Sequence, residues 1–238
     1  MPVGVLLGAG VAMTGLAAHG MFHRNSPLFG RVLSRLPAHS RTVALTFDDG
    51  PHPDVTPCIL DVLRQEGVPA TFFVLGKHAE RWPDLVRRAA AEGHEVGNHG
   101  FAHNRLHFAG PGRIREDLLR GTVAAQRACQ RTPRLFRAPH GFRSPFVSPI
   151  AMSLGQTTVG WTYGVWDSDC PGAAVIAARV LDRASPGAII LLHDADGHDT
   201  ARDRRQTAEA LPLIIRGLRE RGYAFTALPE QDPHSADV

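Results

Sequence analysis

Two carboxylates stand side by side in "LTFDDGPH", Leu45 to His52, where an apolar run meets a Gly-Pro turn. So placed, Asp48 and Asp49 raise each other's pKa unless a positive charge shares the site. Further along, "GNHGFAHNRL" carries His99 and His103. On a helical turn, histidines at i and i+4 face the same way and grip one metal ion. Asp49 with His99 and His103 then makes a two-histidine, one-carboxylate set with open positions for water. Such a set suits zinc in a hydrolase, or another divalent metal. On this reading the cation offsets the repulsion between the aspartates. Asp48 stays free as a general base toward water whose pKa the metal lowers. The plainer alternatives are a solvated turn pair at Asp48 and Asp49 and a chance H-x-x-x-H spacing. His107, four residues after His103, is the competing ligand and the second choice.

These residues need strand ends to hold them. Short apolar runs at 42–47, 70–75, 94–98, 134–138, 157–162, 188–192 and 224–228 read as strands. Helical patterns lie between them near 56–66, 83–92, 111–129, 145–153, 173–183 and 204–221. In the last, Ala208, Leu211, Ile215 and Leu218 share a face, and Pro212 predicts a kink. Strand–helix alternation implies one α/β domain with a parallel sheet. Seven strands favour a barrel-like closure, with chemistry at the carboxyl ends of the strands. Asp48 and Asp49 follow the first strand, His99 the third and His193 the sixth, and Arg137 lies near the fourth.

Composition narrows the function classes. The chain has 238 residues and a net charge of +3, from 26 basic and 23 acidic residues mixed along its length. No basic stripe with interleaved aromatics appears, which argues against nucleic acid as a partner. Cys58, Cys129 and Cys170 make neither a disulfide framework nor a zinc pattern. Residues 1–22 carry no charged side chain and are about long enough to span a bilayer. We read them as an export signal or membrane anchor at the cell envelope, the alternative being a glycine-rich segment packed on the domain. Residues 23–40 read as a linker, 41–228 as the domain and 229–238 as a tail.

In order, "TFDDGPHP", "HGFAH", "RAPHG" and "LLHD" resemble the polysaccharide deacetylase family (NodB-homology domain, carbohydrate esterase family 4), over residues 41–228. The resemblance implies a distorted (β/α) barrel of about seven parallel strands. It also implies removal of N- or O-acetyl groups from sugars with a divalent metal, often zinc. Asp48 matches the family's catalytic base, and Asp49, His99 and His103 its metal ligands. Arg137 matches the arginine that orients the base, and the backbone amide near His140 falls where the oxyanion is stabilised. His193 matches the acid that protonates the departing amine.

Three departures stand out. Gly100 replaces the usual Ser or Thr after the first ligand histidine, and His140 replaces Tyr in the arginine motif. The family's D-x-x-D-W element is blurred into "WDSDC", with Cys170 where Trp is usual. Asp169 is taken as the partner of His193, and Asp167 as second choice. The expected activity is N-deacetylation of a peptidoglycan- or chitin-like glycan, a hydrolysis of a non-peptide carbon–nitrogen bond. The alternatives are a lipid-linked amino sugar or an O-acetyl ester as substrate, or a non-catalytic carbohydrate-binding homologue.

Overall fold

The computed structural model describes residues 14–38, 41–199 and 201–229. Its strands are β1 (Thr42–Asp48), β2 (Thr71–Val74), β3 (Glu95–Asn98), β4 (Leu135–Phe136), β5 (Thr157–Thr158), β6 (Tyr163–Gly164), β7 (Ile189–His193) and β8 (Ala224–Phe225). The hydrogen-bonded order is β5-β4-β3-β2-β1-β7-β6, with β8 against the start of β1, and every pairing is parallel. The sheet curls into a half-barrel. Around it lie α1 (Val55–Glu66), α2 (Gly76–Arg81), α3 (Pro83–Ala91), α4 (Pro111–Cys129), α5 (Val147–Ser153), α6 (Ala173–Asp182) and α7 (Arg205–Glu220).

The period of two along β1 sorts its residues onto two faces. Val43, Leu45 and Phe47 join the large core shared with Ile59 and Leu63 of α1 and Leu211 and Ile215 of α7. Ala44 turns the other way, into the barrel, with Phe73, Leu135 and Ile189. Thr46 and Asp48 share that inner face, so the last inward position of β1 is a carboxylate at the barrel mouth. In α7, Ala208, Leu211, Ile215 and Leu218 are all buried. The helix runs continuously through Pro212, because packing of that face outweighs one lost backbone bond.

The structure departs from the sequence reading in three places. Of the strand expected over 157–162 only β5 forms, and β6, at 163–164, follows as a separate strand on the other edge of the sheet. Between them, Val159 and Gly160 pair with Leu33: Leu33 N donates to Thr158 O at 3.0 Å and Gly160 N donates to Leu33 O at 2.9 Å. The six-residue α2 was not foreseen, since it is too short to show a helical period. The stretch read as a linker is not one over its described part. Leu33 and Leu36 are buried in the inner core, and Leu36 N donates to Gly187 O at 2.8 Å. Residues 33–36 therefore bridge the flank of β5 to the start of β7, across the gap in the half-barrel.

Upstream of that bridge the chain stays on the domain. Buried Arg143 donates to Ser26 O at 2.5 Å and to Ser148 Oγ at 3.0 Å, and its own N–H donates to Met21 O at 3.1 Å. Residues 14–22 are helical and mostly exposed. Among the described residues no helix is long and apolar enough to cross a membrane. Residues 1–13 of the expected signal or anchor, 39–40 of the expected linker, and 230–238 of the tail lie outside the described residues.

Candidate active site

Asp48 and Asp49 are both buried at the end of β1. Neither is a solvated turn residue. Asp48 Oδ1 accepts from Arg137 Nη1 at 2.7 Å. The same nitrogen donates to Thr46 Oγ1 at 2.8 Å, and Nη2 donates to Gly160 O at 2.8 Å. The Arg137 guanidinium, fully buried, lies 4.1 Å from the centre of the Phe73 ring. A charge this deep needs pairing and hydrogen bonds, and here it has both. Arg137 thus fixes the Asp48 carboxylate from inside the barrel.

Asp49 turns the other way, in a left-handed conformation (φ 78°), and its carbonyl accepts from His78 Nδ1 at 2.7 Å. Asp49 Oδ1 stands 3.4 Å from His99 Nε2 and 3.2 Å from His103 Nε2. It is buried and has no hydrogen-bond partner among the described residues. His99 Nδ1 donates to Arg137 O at 2.8 Å, which leaves the Nε2 lone pair aimed at Asp49. An orphaned buried carboxylate oxygen faced by two imidazole nitrogens fits a divalent cation. Burial works against charge on Asp49, but the close imidazoles of His99 and His103 hold its pKa well below the ordinary range. Burial pushes His103 down to about 3, so it is neutral, as a ligand must be. His99 is raised, because Asp48 and Asp49 outweigh its burial: the pair calls for positive charge here.

The two histidines are not on a helical turn. Residues 99–105 form an irregular loop, and left-handed Gly100 (φ 78°) and His103 (φ 60°) bend it so that both rings meet Asp49. A Cβ at position 100 would stand 2.9 Å from Asp117 Oδ1. The Asp117 carboxylate, from α4, accepts from Phe101 N at 3.1 Å and Asn104 Nδ2 at 3.1 Å. It steadies the loop where Gly100 has no side chain to do so. His107 takes no part: its buried ring packs against Phe22, Phe108 and Phe142.

His193 ends β7, directly beside Asp48 in register. Its partner is Asp167, not Asp169. His193 Nδ1 donates to Asp167 Oδ1 at 2.9 Å and His193 N donates to Oδ2 at 2.7 Å. Asp169 is exposed. The reason is local: 167–169 is a single 3-10 turn between left-handed Trp166 and Cys170, so the first aspartate points in and the third residue points out. Thr207 Oγ1 donates to Asp167 Oδ2 at 3.1 Å, and Gln206 Nε2 to Asp167 O at 3.1 Å. Burial alone would lower the His193 pKa, but Asp167, with Asp49 and Asp48, pushes it up to about 9. Nε2 is the ring nitrogen left for chemistry.

These groups share one cleft of about 660 Å3. Asp48, Asp49, His99, His103 and His193 all line it. Trp166, 68% exposed, lines the cleft with an open flat ring, whereas the Trp161 ring is covered by Arg24. Phe22, His23 and Arg24 add a wall from the N-terminal stretch. Sequence reasoning missed three supports: Asp117, the pair Gln206 and Thr207, and Asp194. Asp194 is buried next to His193 in the chain and accepts from Thr56 Oγ1 at 2.6 Å. Burial and the nearby Asp49 and Asp48 push its pKa up to about 7. Only the adjacent "HD" hinted at the last of these, and nothing in the local pattern pointed to the others.

A family model described as polysaccharide deacetylase matches residues 35–159. A chitooligosaccharide deacetylase of Bradyrhizobium sp. (strain ANU 289) is 41% identical over 198 residues, covering 80% of this chain and 90% of the relative. A peptidoglycan-N-acetylglucosamine deacetylase of Bacillus cereus (strain ATCC 14579) is 36% identical over 203 residues, covering 84% and 92%. Among solved structures, a peptidoglycan N-acetylglucosamine deacetylase in complex with 4-naphthalen-1-yl-N-oxidanyl-benzamide superposes with a TM-score of 0.78 at 33% identity, covering 83% of this chain and 91% of that one. By matched segment, identity along the chain and curled parallel sheet alike, the chain belongs to the polysaccharide deacetylase family.

Proposed function

We propose that this chain is a metal-dependent hydrolase that removes N-acetyl groups from an amino-sugar polymer or oligomer of chitin or peptidoglycan type. The observation that carries this reading is the convergence of Asp48, the Asp49–His99–His103 set and His193 on one cleft. Asp49, His99 and His103 would hold the cation, and the one-carboxylate, two-imidazole set suits Zn2+. When bound, it would supply Lewis-acid polarisation and ready ionisation of water at neutral pH.

The rest is work for the chain's own side chains. Asp48, with Oδ1 tied to Arg137, keeps Oδ2 for the proton of the attacking water. His193, charged through Asp167, gives a proton from Nε2 to the sugar nitrogen as it leaves. The turn at 139–141, with left-handed His140, brings backbone to the cleft, where an N–H would meet the charge developing on the acetyl oxygen. The uncharged run Met1 to Phe22 supports a place at the cell envelope, which cell fractionation of the full-length protein tests.

The function is tested by acetate release from N-acetylglucosamine oligomers, peptidoglycan and acetylxylan, with and without added Zn2+. Zinc-dependent release from one of the two amino-sugar substrates is expected. Release from acetylxylan alone would make it an esterase, and no release from any substrate would contradict the reading.

A further inference from the structure

The side chains of His140 and His198 have no part in the chemistry above, yet both stand against His103. The His103 ring centre lies 4.3 Å from that of His140 and 4.8 Å from that of His198. His103 Nδ1, the nitrogen turned away from Asp49, faces His198 Nε2 at 3.1 Å. One nitrogen from each of the three rings falls within 4.8 Å of the other two. His140 Nε2 is buried and has no hydrogen-bond partner among the described residues. A buried imidazole nitrogen without a partner is costly unless something binds there.

The loop that carries His198 is held in place. Asp196 Oδ1 accepts from His198 N and Asp199 N, each at 3.0 Å, and Arg204 Nη2 donates to Asp196 Oδ2 at 2.7 Å. Lys77, the chain's single lysine, donates to Gly197 O at 2.7 Å. A Cβ at position 197 would stand 2.4 Å from His103 Nδ1, so glycine is what lets this loop approach the ring. We propose that His103 Nδ1, His140 and His198 form a second divalent-cation site, which takes an imidazole-seeking cation such as Zn2+ or Cu2+.

Three imidazoles and no carboxylate suit zinc, copper or nickel and not the hard cations magnesium and calcium. The two sites share His103, Nε2 serving the first and Nδ1 the second. Filling both makes that ring a bridging imidazolate: the Nδ1–H bond breaks, the nitrogen lone pair goes to the cation, and the proton leaves to solvent. All three histidines line the catalytic cleft. A second ion therefore sits in the space the sugar must enter, and excess metal inhibits.

The test is metal per chain after equilibrium dialysis against buffered Zn2+, for the wild type, His198→Ala, His140→Tyr and Asp49→Ala. The wild type should reach two equivalents, and its acetate release should fall as the second binds. His198→Ala and His140→Tyr should stop at one. Asp49→Ala, which lacks the first site, should still bind one, and adding His198→Ala to it should remove that ion. A wild type that saturates at one equivalent, a histidine variant that still reaches two, or an Asp49→Ala protein that binds none would each overturn the second site. If instead Asp49→Ala keeps both equivalents, the first site is the one in error and the second stands.

Discussion

Each aspartate of the site has a different task, set by what it touches. Asp48 faces a buried guanidinium, Asp49 faces two imidazole nitrogens, and Asp167 faces Nδ1 of His193. The last assignment has a sign that pH exposes. His193 must be protonated to donate, so activity should fall on the basic side as its proton is lost. Asp167 favours the charged ring and raises its pKa, so Asp167→Asn should move the basic limb to lower pH and slow the reaction while the metal stays. A bound cation offsets the share contributed by Asp48 and Asp49, but not that of Asp167, which lies on the other edge of the ring. Asp169→Asn should leave the limb where it was. A pH–rate profile in which Asp169→Asn shifts and Asp167→Asn does not would reverse the assignment.

At the level of elements, the proposed mechanism takes its base and acid from strand ends and its metal ligands from Asp49 and one loop. Parallel β1 and β7 put Asp48 beside His193 by register alone. The loop after β3 depends on a neighbour instead. Asp117 of α4 holds Phe101 N and Asn104 Nδ2, and so sets the path between His99 and His103. Asp117→Ala should weaken metal affinity by about 10- to 100-fold, the usual cost of losing such a support. Competition with a chromogenic chelator measures it, and unchanged affinity would show that the loop holds itself. Gly100→Ser, the family's usual residue, should not rescue it, because the backbone there is left-handed.

Across the whole molecule, the N-terminal stretch completes what the sheet leaves open. Residues 33–36 bridge the gap between β5 and β7, and Leu33 packs in the inner core with Phe73, Leu135 and Val159. Leu33→Ala should therefore cost about 2–5 kcal/mol of stability, as buried leucine truncations do. Denaturant unfolding measures this, and a loss under half a kilocalorie would return the stretch to the role of a linker. This part of the fold was illegible in the sequence, since "HRNSPLFGRVLSRLPAHS" has loop composition, and Leu33 and Leu36 pair with residues more than a hundred positions away. The strand–helix alternation and the groups at strand ends were legible, because period and motif order are local properties. The choice between Asp167 and Asp169 was not. It turns on a 3-10 turn flanked by two left-handed residues, and on Thr207, forty positions away. Asp117 escaped for the same reason: it supports a loop on another element.

The central claim is that Asp48 takes the proton while Asp49, His99 and His103 hold the ion. The most direct test is acetate release by Asp48→Asn from N-acetylglucosamine oligomers, with metal content measured on the same sample. The amide keeps the shape of the site but cannot accept the proton. The account predicts wild-type metal content and a rate lower by about two to four orders of magnitude. An Asp48→Asn protein that carries its metal and releases acetate at close to the wild-type rate would contradict it.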